Sequence, residues 1–235
     1  MTATDSFRCP RCGTPRATAL DLCPTCLIAT ALAVEEDPCP YQVMSPIAQD
    51  GRGVTYLALA LTGARGYVAL KVHGRRDDTE VVLSRYHEWK PALARLRHPS
   101  VSKLLDVGLT AEGLLYVATE YVGGWPLTTI GSHPSVGVAE RALLVRQLIG
   151  AVDAAHALGV VHLKLDVSKV KISTANGPHA MILGFGSSLI LDGAEAHRLP
   201  DVLSLIPLVR ELGVKLPDRP YGTAAAILDA LPSSI

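Results

Sequence analysis

The sequence predicts an α+β protein in which a small metal-stapled module precedes a larger core. Three observations carry this. Two C-P-x-C pairs, Cys9/Cys12 and Cys23/Cys26, stand near the start. Between Tyr41 and Val122, short apolar runs alternate with turn residues, as β-strands do. From Val138 to Leu158, the residues Leu144, Leu148, Val152 and Ala155 recur at helical spacing, and Gly159 suits a C-cap. The 235 residues are 49% hydrophobic, enough for one sizeable core plus an appendage. A formal net charge of +0 leaves no global field to draw nucleic acid or an anionic membrane. Aromatics at 5% argue against a base-stacking surface. No uncharged apolar run approaches the ~20 residues of a membrane span, and Met1–Arg8 has no apolar signal-peptide core. The expected location is the cytoplasm, away from membranes.

Each C-P-x-C turn lets two thiolates converge on one ion, so Cys9, Cys12, Cys23 and Cys26 together offer a tetrahedral four-thiolate site for Zn2+. Such sites are closed, so the ion is expected to be structural. Disulfides are the alternative, and a reducing cytosol disfavours them. Cys39 is left over and reads as a small buried hydrophobe. Leu27–Val34 reads as a short apolar helix, and Glu35–Pro38 breaks the pattern. The expected domains are therefore a zinc ribbon with its connecting helix over 1–36 and a larger domain over 41–235.

In the larger domain, Ile47–Tyr56 carries Ala48, Asp50 and Gly53 on the frame of a Gly-rich loop, G-x-G-x-x-G-x-V. Tyr67–Val72 reads as a strand ending in Val-Ala-Leu-Lys-Val. Lys71, Val54 and Ala69 lie on these two stretches. A helix carries Glu88, Trp89, Pro91 and Leu93. Val101–Val107 and Leu114–Val122 read as strands joined by a turn at Thr110–Gly113. Val160–His162 is read as a strand leading into Leu163–Lys171, and Ile182–Gly186 holds Gly184, Phe185 and Gly186 after another strand. Asp201–Leu205 opens a helix, and Thr223–Leu231 reads as the last one.

These segments resemble the bacterial serine/threonine protein-kinase family. Val160–Lys171 is similar to the catalytic loop H-R-D-L-K-x-x-N, Gly184–Gly186 to D-F-G, and Asp201–Leu205 to D-V-W-S-L-G. The resemblance implies a bilobal protein-kinase-like fold, with a small lobe over about 41–122 and a truncated large lobe over about 123–235. The resemblance makes Lys71, Val54 and Ala69 the candidate residues of a nucleotide pocket, with Glu88 one residue away from where it implies a partner for Lys71. His162, Phe185, Leu93 and Asp201 match packing positions. Lys164 stands at the catalytic Asp, Lys169 at the metal-binding Asn and Gly184 at the D-F-G Asp. An ammonium has no lone pair to accept a proton, and hard oxygen ligands for Mg2+ are lost. The sequence therefore predicts a pseudokinase that is not an enzyme, a regulatory or scaffold protein with a protein partner. The same losses argue against ATP and Mg2+ as cofactors. The alternatives are an unorthodox nucleotide-dependent transferase drawing on Asp166 or Asp192, or nucleic-acid binding through the ribbon.

Overall fold

The computed structural model describes residues 7–8, 15–16, 23, 40–62, 66–131, 136–173 and 177–231. Contacts divide the chain into two compact units, Met1–Thr79 with Leu105–Thr119, and Glu80–Leu104 with Glu120–Ile235.

The first unit begins with two short strands, β1 (Phe7–Arg8) and β2 (Pro15–Arg16), paired antiparallel. Its main sheet is built from β3 (Tyr41–Asp50), β4 (Gly53–Ala60), β5 (Tyr67–His73), β6 (Leu104–Leu109) and β7 (Leu115–Glu120), in the order β3-β4-β5-β7-β6. Pro46 cannot donate to a ladder, and it is accommodated because β3 is an edge strand with register shifts on either side of Ser45–Pro46. Alternation sorts the faces. Val54, Tyr56 and Ala58 of β4 and Val68, Leu70 and Val72 of β5 form one buried cluster with Leu114, Tyr116 and Ala118. Tyr41 meets Tyr116 edge-on at 5.8 Å, and the Tyr116 hydroxyl donates to Asp106 at 2.7 Å. Burying each large apolar side chain is worth roughly 1.5–3 kcal/mol. Thr55, Leu57, Ala69 and Lys71 therefore occupy the opposite face.

The second unit contains α1 (Thr79–Arg95), whose Val82 and Tyr86 are buried and whose Trp89 and Leu93 pack on the large core. The spacing of these four is helical. Pro91 lies inside the helix, which runs unbroken through it, and Glu88 is exposed. Next come β8 (Trp125–Pro126), α2 (Leu127–Gly131) and α3 (Val138–Ala157). Glu140 accepts the Gly137 N–H at 2.6 Å, which closes the start of α3. Leu144, Leu148, Ile149, Val152 and Ala155 of α3 are fully buried. A 3-10 turn (Val167–Lys169) leads into β9 (Val170–Ser173), which pairs with β8 and with β10 (His179–Ile182). Three helices close the chain: α4 (Ser187–Leu191), α5 (Leu199–Glu211) and α6 (Ala224–Leu228). Both α5 and α6 pack against α3. Thr223 caps α6 by accepting from the Ala226 N–H at 3.1 Å.

One local expectation is corrected. Val160–His162 forms no strand, because its backbone is claimed elsewhere: the Val160 N–H bonds the Ala155 carbonyl, and the His162 N–H bonds the Asp201 carboxylate. The helix α1 associates with the second unit, because its apolar stripe lies on the large core. The Leu27–Val34 helix and the Glu35–Pro38 boundary lie outside the described residues. Among the described residues, no helix is long and apolar enough to cross a membrane.

Candidate functional site

In the first unit the site is the tip of the β3–β4 hairpin and the strand facing it. Asp50 ends β3. Its Oδ1 accepts the N–H groups of Arg52 and Gly53 at 2.9 and 3.1 Å, which folds the two-residue turn around one carboxylate. Its Oδ2 accepts the Lys71 ammonium at 2.5 Å. Burial pushes the Asp50 carboxyl up, but the hydrogen bonds from Lys71 and the turn outweigh it and hold the group below the usual carboxylate range. Gly53 is required where it stands, since a Cβ there would collide with the Val72 carbonyl oxygen.

The three candidate pocket residues do not share a face. Ala69 and Lys71 point one way, while Val54 is buried in the opposite cluster. Thr55 is the cross-strand neighbour of Lys71. The period of two decides this, since a one-residue difference reverses the side chain. His73, two residues beyond Lys71, is 1% exposed, and among the described residues neither ring nitrogen has a hydrogen-bond partner. Burial, with Lys71 and Arg76 nearby, pushes its imidazole down to about 4, so it stands neutral.

In the second unit the loop is built around Asp201, which is 0% exposed in the first turn of α5. It accepts the backbone N–H groups of His162 at 2.7 Å and Leu163 at 2.6 Å, and His156 Nε2 lies 3.0 Å away. Those bonds hold Leu163 at φ 65, a left-handed conformation that non-glycine residues resist. The His162 Nε2–H donates to the Leu183 carbonyl at 2.8 Å, and Nδ1 accepts from the Lys164 N–H at 3.3 Å. This is the neutral tautomer. Burial pushes the imidazole down, against the opposing pull of the Leu183 carbonyl and Asp201. Phe185 stacks edge-on against His162 at 5.1 Å. Gly186 sits at φ 78, and a Cβ there would come within 2.5 Å of Leu93. His162, Phe185, Leu93 and Asp201, read from the sequence as packing residues, are thus brought together through neighbouring contacts.

The residues at the chemical positions lie around the same loop. The Lys164 ammonium pairs with the Asp192 carboxylate at 2.5 Å. Asp166 caps the 3-10 turn by accepting the Ser168 N–H at 2.7 Å. Burial raises its carboxyl, but the bonds from Ser168 and the nearby Lys169 hold it below the usual range. Lys169 ends that turn, and Gly184 has φ 88. Of the four cysteines read as zinc ligands, Cys23 alone lies among the described residues. It is buried. His156 escaped sequence reasoning. The signal was its place one turn after Val152 on a buried stripe.

No family model matches the chain. Among curated proteins, it is 31% identical over 160 residues to the serine/threonine-protein kinase pkn3 of Myxococcus xanthus, covering 66% of this chain and 29% of that one. It is 24% identical over 151 residues to the probable serine/threonine-protein kinase PknB of Lactococcus lactis, covering 63% and 24%. The chain thus spans under a third of the length of these curated relatives. Among solved structures, a variant of the PknI kinase domain of Mycobacterium tuberculosis superposes with a TM-score of 0.58 at 25% identity, covering 74% of each chain. These relatives are named as kinases and the neighbour is a kinase domain, which overturns the expectation that the chain is not an enzyme: the homology points to one. The chain is homologous to the bacterial serine/threonine protein kinases and carries a protein-kinase-like α+β fold.

Proposed function

We propose that this chain is a kinase-like regulatory or scaffold protein that binds a nucleoside or nucleotide at the Lys71 face and passes its state to a protein partner. The observation that carries the reading is the Asp50–Lys71 pair: the lysine of the kinase-like strand is retained, and it is held by a carboxylate where the motif has glycine. The Asp201 network supports it, because the skeleton of the loop is fully satisfied. The partner is expected to be another protein, such as a kinase of the same cell, in the cytoplasm. Thermal unfolding with adenosine or ATP, with and without Mg2+, tests the ligand. At 100 times its dissociation constant a ligand stabilises by about 2.7 kcal/mol, so no shift with either compound refutes binding. Mixing the chain with an active bacterial serine/threonine kinase domain and following that kinase's rate tests the output.

The N-terminal segment is assigned a structural Zn2+ held by Cys9, Cys12, Cys23 and Cys26. The antiparallel β1–β2 pair, which brackets Cys9 and Cys12, supports it. Elemental analysis is expected to find one zinc per chain, lost in Cys23→Ser. A zinc-free protein at full stability refutes the assignment.

A second reading is a nucleotide-dependent transferase of unorthodox design. The homology to named kinases favours it, as do the carboxylates of Asp166, which caps the turn after Lys164, and of Asp192, which pairs with Lys164. Transfer of labelled phosphate from ATP is the assay, with Asp166→Ala, Asp192→Ala and Lys71→Ala as variants. Turnover unchanged in all three sinks it.

A further inference from the structure

Asp50 does more than replace a glycine. Both of its oxygens are engaged, Oδ1 by two backbone N–H groups and Oδ2 by Lys71. The two backbone bonds anchor the carboxylate to the turn, so it cannot swing away without undoing the hairpin tip. Lys71 is the cation that a phosphate would seek, and it already has an anion at contact distance. His73 beside it is neutral and adds no charge to compensate. A free polyphosphate reaching Lys71 must displace this carboxylate and then sit next to it, and like charges at such range repel strongly. An uncharged nucleoside meets neither obstacle.

We propose that Asp50 is a built-in anion occupying the phosphate seat of Lys71, so that this face prefers a nucleoside to a free nucleoside triphosphate. The inference rests on the ligand reading above. It makes Asp50 a specificity-determining residue, and charge at position 50 is the property that decides. Asn at this position keeps an oxygen for the Arg52 and Gly53 N–H groups and loses only the charge. Gly removes the turn contact as well, so comparing the two separates charge from loop order.

The test is isothermal titration of the full chain with adenosine and with ATP, each with and without Mg2+. The variants are Asp50→Asn, Asp50→Gly, Lys71→Ala and the Asp50→Asn/Lys71→Ala pair. Circular dichroism and a melting curve confirm that each is folded. The wild type is expected to bind adenosine more tightly than ATP. Asp50→Asn is expected to tighten ATP by about tenfold or more, about 1.4 kcal/mol, with adenosine nearly unchanged, and adding Lys71→Ala is expected to erase the gain. If adenosine binds but Asp50→Asn leaves ATP unchanged, the anion role is overturned and the ligand reading stands. If neither compound binds any variant, both fall. ATP binding that requires Mg2+ and weakens in Asp50→Asn also overturns the proposal, since the carboxylate would then be holding the metal.

Discussion

Two carboxylates in this chain have the same number of partners and opposite roles. Asp201 and Asp50 each accept two backbone N–H groups and meet one nitrogenous side chain, His156 in one case and Lys71 in the other. Asp201 is 0% exposed, while the Asp50 side chain is 54% exposed. Environment sets the difference. A buried donor that loses its acceptor keeps the full cost of desolvation, whereas an exposed one turns to water. Asp201 is therefore fixed in the buried skeleton, whereas Asp50 is held by its turn with its charge facing solvent, where it can select among ligands.

The largest expected effect breaks that comparison at its buried end. Asp201→Ala strands three donors and releases the strained Leu163, so it is expected to cost about 3–5 kcal/mol in urea unfolding. A loss below about 1 kcal/mol would mean that the loop is held by other contacts. The next effect concerns His73, near Asp50 and Lys71 but buried. Its imidazole is lowered from 6.5 to about 4 by burial first, then by Lys71 and Arg76, with Arg52 adding to this and Asp50 opposing it. The unfolded chain therefore binds more protons between those values. Stability is full above about pH 6.5 and declines as pH falls toward 4, by about 1–3 kcal/mol. A flat stability profile for the wild type in that window, or the same slope in His73→Leu, contradicts the buried neutral ring.

Gly186→Ala probes the skeleton by a different route. It forces a side chain into φ 78 and against Leu93, and about 1–3 kcal/mol is expected to be lost. A neutral result would show that Leu93 can move aside. The smallest effect belongs to Asp50. Because the pair is half exposed, Asp50→Asn is expected to change stability by less than about 1 kcal/mol. Its folded carboxyl lies below its ordinary value, so this small contribution is present above about pH 3.8 and fades as pH falls through the lowered value. Measured stability unchanged by the substitution, together with an altered ligand preference, sharpens the contrast with Asp201. A loss as large as that of Asp201→Ala would erase it.

Much of the fold was legible because local patterns demand it. The stripe Leu144, Leu148, Val152 and Ala155 has only a helix to satisfy it, and α3 runs Val138–Ala157 as that stripe predicts. The turn at Thr110–Gly113 closes with the Gly113 N–H on the Thr110 carbonyl at 2.8 Å. The packing residues His162, Phe185, Leu93 and Asp201 were readable from motifs. The register of the pocket residues was not. Val54 and Thr55 both suit a strand, and only the pairing of β4 with β5 shows which faces Lys71.

The sequence by itself determined the main strands and helices and their order, which follow from periodicity along one chain, while its resemblance to the kinase motifs gave the kinase-like skeleton and the side chains at its positions. The tertiary structure alone decided who holds whom: Asp50 with Lys71, Lys164 with Asp192, and His156 with Asp201. Those partners lie 21, 28 and 45 residues apart. Charge and hydrogen bonding act through space, so pairs so distant in sequence leave no periodic trace, and only the folded backbone brings them within reach.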